Sequence, residues 1–486
     1  MPCTTLLAGR TATYDGSTMI ARTDDGHFDI KRMRVVNPQD QPKVYKSVIG
    51  HCRIRLPKDP MRYTSCPSVD PKNGIWAASG INDANVGMTA TETITNNPRV
   101  LGADPYVEYR KKTDTEKEVI GGFGEEDFVV LVLPYIHSAR EGVLRLGAIL
   151  EQYGTYESNG IAFNDEDEIW WMETIGGHHW IARRVPDDAY VMVPNRQGID
   201  HFDFEDAFGE QKEYLCSSDL REFVTENHLD VSLDGSFNPR YAFGTHSDAD
   251  RVYNNPRAWF MGRYFNPTTY LWDGEKADYT PECDDIPWAL VPEHRITVED
   301  IKYVLSSYYQ GTPYNPYQAA DIPQKGKYRP IGVSGTDVTT ICQIRGYLPG
   351  NLKAVEWVSF SSNAFNAMMP VYPHVSDLPA YLKEVSLDVS TENLYWGSRL
   401  LGLLADAHYG SVIQLIERYQ SAVFAKGHEL VREYDANYLK TKKESVFEEA
   451  NEALAAMMRK ETINALNKVI AQASEHMKNG YSREDK

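Results

Sequence analysis

The 486-residue chain has only six cysteines (Cys3, Cys52, Cys66, Cys216, Cys283 and Cys342), and no two stand in a C-x-x-C spacing. That scarcity excludes a disulfide framework and argues against a structural zinc site. There is no H-E-x-x-H and no G-x-S-x-G elbow, and Gly121-Gly122-Phe123-Gly124 fits no phosphate-binding fingerprint. Positive charge is also short. Fifty Lys and Arg against 69 Asp and Glu leave a formal net charge of −19, which works against holding a nucleic-acid backbone. No apolar run nears the ~18 residues of a membrane span, and no basic stretch followed by an apolar one opens the chain as a signal peptide. The expectation is a soluble protein of the reducing cytoplasm, with no cofactor, no metal, no nucleic-acid partner and no membrane partner.

What is present begins at Cys3, directly ahead of the apolar run Thr4-Thr5-Leu6-Leu7-Ala8-Gly9. A cysteine near a chain end is unusual, because chain ends are seldom buried and cysteines usually are. With Met1 and Pro2 removed, Cys3 would carry a thiol nucleophile and an α-amine that serves as its general base, titrating near ~8. A small hydrophobic residue opening a strand fits the same position.

Thr4 to Ala8, the turn Tyr14-Asp15-Gly16-Ser17 and Thr18 to Ala21 read as a hairpin that brings Cys3 to Arg22–Asp25. Gly74 to Ala78 and Val86 to Thr93 read as further strands. Val143, Leu146, Ile149 and Leu150 recur at helical spacing between Ser138 and Tyr153, with Gly154 as the stop. Four strands at 160–163, 168–173, 179–185 and 189–193 form an antiparallel meander. Residues 200–300 are loop-rich and acidic, 328–361 is again rich in strands, and beyond Asn393 the chain reads as helix. The fold class expected is α+β and layered. Its core spans residues 3–375, with the loop-rich insertion at about 200–300, and a mainly helical region at 376–486 packs on that core. Apolar stripes such as Leu400-Leu404-Ala407 serve either packing on the sheets or a homo-oligomer interface.

Several residues have the chemistry of a site. Arg22 can stabilise a Cys3 thiolate, and a neighbouring Asp can hold the arginine or the α-ammonium. Asn195 leaves a strand at Val193-Pro194-Asn195, where a carboxamide can donate to an oxyanion; an ordinary turn asparagine fits as well, and Asn82 has the same ambiguity. Arg257 opens a helix after Asn255-Pro256 and suits either a substrate carboxylate or a buried ion pair. His178-His179 looks like a metal pair, but adjacent strand residues face opposite sides.

Cys3-Thr4-Thr5 with Asp15-Gly16-Ser17-Thr18-Met19-Ile20-Ala21-Arg22-Thr23-Asp24-Asp25 resembles the opening of the PepD-type dipeptidases, which include dipeptidase A of lactic acid bacteria and the secernins. The likeness runs on through Tyr153-Gly154-Thr155-Tyr156-Glu157, Asn159-Gly160-Ile161-Ala162-Phe163, Val193-Pro194-Asn195, Asn255-Pro256-Arg257 and Asn363-Ala364-Phe365-Asn366-Ala367. This family is similar to penicillin V acylases and bile salt hydrolases among the N-terminal-nucleophile (Ntn) hydrolases. The resemblance implies a four-layer αββα sandwich with Cys3 as nucleophile. It places the relatives' Arg-x-x-Asp pattern on Arg22 and Asp25, with Asp24 as a spacer, and implies Asn195 and Arg257 as further catalytic residues. At Glu92 this chain departs from the acylases; in this chain Glu92 would face a dipeptide's free amino group, and Asn82 joins it as a substrate-binding residue. The implied activity is cysteine-type hydrolysis of dipeptides through a thioester, after cleavage ahead of Cys3. An amidase acting on N-acyl amino acids and a non-catalytic secernin-like scaffold are the alternatives.

Overall fold

Nearly every residue of the central strands is buried on both faces, as two stacked sheets require when each is also covered by helices. The computed structural model describes residues 3–26 and 28–477, apart from the Thr91 side chain. In chain order the strands of the two main sheets are β1 (Thr4–Ala8), β2 (Thr18–Asp25), β3 (Ser79–Ile81), β4 (Gly87–Thr93), β5 (Asn159–Asn164), β6 (Ile169–Ile175), β7 (His179–Arg184), β8 (Tyr190–Val193), β9 (Tyr214–Cys216), β10 (Ala289–Leu290), β11 (Thr336–Ile344), β12 (Ala354–Phe360) and β13 (Met369–Val371). One sheet runs β10-β8-β1-β2-β11-β12-β13 and the other β9-β7-β6-β5-β4-β3. The helices that cover them are α1 (Glu125–Val132), α2 (Ala139–Tyr153), α3 (Asn255–Phe265), α4 (Val298–Leu305), α5 (Leu394–Ala407), α6 (Tyr409–Thr441) and α7 (Ser445–Glu475).

Three apolar clusters separate four layers. Leu7, Ile20, Ala162, Trp171, Val191 and Ile344 fill the space between the sheets. Met88, Ile161, Phe163 and Met172 pack outward on Phe128, Leu131, Leu146 and Leu150 of α1 and α2. Leu6, Ala21, Ile341 and Trp357 pack the opposite way on Trp259, Ile301, Leu401, Ile416 and Met458. The result is the expected αββα sandwich. α5, α6 and α7 close the outer layer over β12 and β13.

One local expectation fails. Gly74–Ala78 is not a strand: Gly74, Trp76 and Ala78 have φ of 117°, 51° and 57°, which an extended strand cannot hold. On α5, Leu394, Tyr395, Leu401 and Ala405 are fully buried, Leu400 and Leu404 are half-buried against the same core, and Leu403 is 69% exposed.

Candidate active site

The pleat of β1 and β2 decides which side chains meet. Thr4 pairs with Thr23 and Thr5 with Arg22, and alternate residues face alternate sides. Leu7 and Ile20 lie between the sheets, so Cys3, Thr5, Arg22 and Asp24 share that inner side, while Thr4 and Asp25 face the outer helices. Arg22 Nη2 stands 3.0 Å from Cys3 Sγ, 3.0 Å from Asp24 Oδ1 and 2.6 Å from Glu125 Oε1. Its Nη1 donates to the carbonyls of Ala78 and Ala90. Cys3, Asp24 and Glu125 thus cluster like a metal-ligand set, within 4.8 Å of one another, but the guanidinium already fills the point a cation would take.

Burial pushes the Cys3 thiol well above its usual pKa; Arg22 opposes this, and Asp24, Glu125 and Glu92 add to it. Burial also acts against charge on Asp24, yet Lys31 and Arg22 hold its carboxyl below the usual range. Lys31 Nζ bridges Asp24 Oδ2 at 3.0 Å and Asp29 Oδ2 at 2.9 Å, and donates to Trp76 O at 2.8 Å. A buried charge is tolerated when paired in this way.

Asp25 lies on the other face, paired with Arg329 at 2.5 Å and accepting from Thr336 Oγ1 at 2.7 Å. The carboxylate near the thiol is therefore Asp24, 3.9 Å from Sγ, and not the expected Asp25. The reason is that β2 runs on to Asp25 instead of ending at Ala21. Arg257 comes from α3, where Pro256 opens the first turn. Its Nη1 donates to the Cys3 carbonyl and, at 2.8 Å, to Thr4 Oγ1. Its Nη2 donates to Asn195 Oδ1 at 2.7 Å, and Asn195 Nδ2 donates to Thr93 O at 2.8 Å. Arg257 and Asn195 are thus joined, and Arg257 braces the backbone of Cys3 from the outer layer.

Glu92 reaches the inner side through a β-bulge. Thr89 pairs with Ala162 but Glu92 with Gly160, and the extra residue on β4 restores a facing that regular alternation would reverse. Thr5 Oγ1 donates to Glu92 Oε2 at 3.0 Å, and Oε1 is buried with no partner. Burial pushes this carboxyl up to about 8, against the pull of Arg257 and Arg22. Asn82 does not join the site. Its Nδ2 donates at 2.8 Å to both Leu133 O and Ile136 O, and its Oδ1 accepts from Ala84 N and Val86 N. All its capacity is spent on holding a loop. His178 and His179 do not face opposite ways, because His178 sits in the turn before β7. Both Nδ1 atoms reach the carboxylate of Asp104, at 2.9 and 2.7 Å.

Sequence reasoning missed Lys31, Glu125 and Glu173. Glu173 Oε1 accepts from Gly198 N at 2.7 Å and Ile199 N at 3.2 Å, and so fixes the chain just beyond Asn195. The Glu125-Glu126-Asp127 run was visible, but nothing in it signals an arginine on β2. Met1 and Pro2 lie outside the described residues.

Comparison with known proteins places this arrangement. The profile of peptidase family C69 matches residues 2–422. A "Dipeptidase" of Bifidobacterium longum is 54% identical over 90% of this chain and 83% of its own. A "Probable dipeptidase A" of Streptococcus pyogenes serotype M3 is 48% identical over 100% of both chains, and "Dipeptidase A" of Lactobacillus helveticus is 44% identical over 89% and 88%. A solved conjugated bile acid hydrolase of Clostridium perfringens overlaps at a TM-score of 0.28 and 11% identity, over 76% of this chain and 92% of its own, too loosely to carry an argument. The profile and the relatives cover most of the chain, and on that ground it belongs to peptidase family C69, a family of hydrolases.

Proposed function

We propose that the protein is a dipeptidase that works through Cys3. The observation that carries this reading is the 3.0 Å contact between Arg22 Nη2 and Cys3 Sγ at the head of a buried strand. Relatives named dipeptidase point to the substrate class.

Burial keeps the thiol protonated at neutral pH, so attack requires a base. The α-amine of Cys3, freed by cleavage ahead of it, is that base, since an unperturbed amine titrates near ~8. It takes the thiol proton as Sγ bonds to the substrate carbonyl carbon, and Arg22 balances the sulfur's developing charge. Collapse of the tetrahedral species breaks the C–N bond, and the α-ammonium returns the proton to the leaving amine. Water then attacks the thioester, the acid departs and the thiol re-forms. Asn195 acts on the oxyanion side while steadying Arg257. Glu92, with one carboxylate oxygen unpartnered, receives the free amino group of the dipeptide. No helix among the described residues is long and apolar enough to cross a membrane, and the cytoplasm is the proposed compartment.

The test compares free with N-acetylated dipeptides, alongside Cys3→Ala and an intact mass of the purified protein. Turnover of free dipeptides, loss in Cys3→Ala and a mass lacking Met1-Pro2 are expected. Activity confined to blocked substrates overturns the dipeptide reading, and full activity in Cys3→Ala overturns the nucleophile.

A further inference from the structure

On α4, Lys302 shares no contact with the residues around Cys3, and among the described residues no carboxylate is bonded to its amine. Lys302 is 5% exposed, and its one side-chain hydrogen bond among the described residues runs from Nζ to Asn363 O at 2.9 Å. Of the three acids on the wall beside it, Glu417 is exposed to solvent and the other two are engaged elsewhere. Glu299 is bonded to His428 at 2.6 Å, and Asp300 accepts from Thr297 and from Tyr264. Burial alone accounts for the pull on the Lys302 pKa, down to about 7. One helical turn later, Ser306 Oγ is buried with no partner. Both residues line a cavity of about 660 Å³ between α4 and α6, whose walls include Tyr264, Tyr308 and Phe424.

A buried ammonium with one neutral acceptor and a buried hydroxyl with none are costly to keep, and they open on a cavity within the ~300–1,000 Å³ range of small-molecule sites. We propose that this cavity binds a small carboxylate with an aromatic body, its carboxylate seated on Lys302 Nζ and Ser306 Oγ and its ring among Tyr264, Tyr308 and Phe424. The carboxylate supplies the missing counter-charge and the missing hydroxyl acceptor, and the aromatic walls take the apolar end. The site is separate from Cys3 and stands whether or not Cys3 is the nucleophile.

Calorimetric titration of the full chain with 3-phenylpropionate and with 2-phenylethylamine tests this. The carboxylate is expected to bind and the amine, which has the same ring, is not. Lys302→Met should weaken the carboxylate by at least about tenfold, the worth of one charge-assisted hydrogen bond, and leave peptide hydrolysis unchanged. Ser306→Asp, which puts a carboxylate of its own beside Lys302, should abolish binding in a folded protein and serves if Lys302→Met does not fold. Equal binding of the amine, or undiminished carboxylate binding in either variant, overturns the proposal. Absence of carboxylate binding to the unaltered protein overturns it as well.

Discussion

Lys31 Nζ lies 3.0 Å from Asp24 Oδ2, with both side chains sealed from solvent. The carboxylate nearest the Cys3 thiol therefore depends for its charge on a residue outside the strand that carries it. Charges alternate along one line beside the neutral Cys3 thiol, from Arg22 through Asp24 and Lys31 to Asp29, buried up to its last member. Each member is neutralised by the next, and this lets so much charge sit between two apolar sheets.

Removing one member of that line exposes the cost. Lys31→Met leaves Asp29 without its cation and Asp24 with Arg22 alone, and breaking such a buried pair typically costs about 3–5 kcal/mol. The urea midpoint should fall accordingly with little change in slope. Lys31→Met combined with Asp24→Asn should recover part of the loss, because the uncompensated charge is gone. A midpoint for Lys31→Met equal to that of the unaltered protein would contradict the pairing.

Asn195 has two separable jobs, and substitution can split them. Asn195→Asp keeps an acceptor for Arg257 Nη2 but loses the amide donor; Asn195→Ala loses both. If the donor serves the oxyanion, both variants should lower kcat about 10²- to 10³-fold, with KM changed less. If the asparagine only steadies Arg257, Asn195→Asp should keep most of the activity. Steady-state kinetics on a free dipeptide distinguishes the two.

Glu92 should leave a signature in pH. Its folded pKa of about 8 lies above the ~4.3 of an unfolded glutamate. The native state thus holds a proton that the unfolded chain has given up, and stability falls as pH rises between those two values. Glu92→Gln cannot ionise. Its thermal midpoint should match the unaltered protein in mild acid and exceed it in mild alkali. If Glu92 also receives the dipeptide's ammonium, the same change should raise KM for free dipeptides but not for N-acetylated ones. A constant difference in midpoint across the range would remove the titration argument.

The sandwich was legible because its signals are local. Thr4 to Ala8, the meander from Asn159 to Val193 and the helices after Asn393 carry period-two and period-3.6 patterns that short windows reveal. The site was legible only in part. Cys3, Arg22, Asn195 and Arg257 meet as expected, yet Asp24 and Asp25 exchanged places because an end placed at Ala21 hides the alternation of the last four residues of β2. Lys31 and Glu125 approach Arg22 and Asp24 through loops and a helix whose paths no residue spacing encodes. Glu92 depends on a bulge, and a bulge leaves no mark in the alternation of side chains. Asn82 looked like a ligand group, but its amide donors are consumed by backbone carbonyls more than fifty positions away.

Asp104 accepts from His178 N and contacts the Nδ1 atoms of both His178 and His179. It pins the turn between β6 and β7 onto the loop before α1. Burial alone would raise its carboxyl, but the His178 and His179 hydrogen bonds hold it well below the usual range. A depressed carboxyl stabilises the fold above its unfolded value of ~3.9 and loses that contribution as pH falls toward the folded value. His178 is raised by its hydrogen bond to Asp104, so its own contribution is present below ~6.5 and fades as pH rises through the folded value. Both contributions coexist between those limits, and there Asp104→Asn should cost the most. With His178 42% exposed, solvent screening discounts its share, and about 1–3 kcal/mol is expected from the lost charge-assisted hydrogen bonds. Thermal unfolding of the two proteins across that pH range should show the gap narrowing toward strong acid. A gap that widens instead would mean that Asp104 is not ionised in the fold.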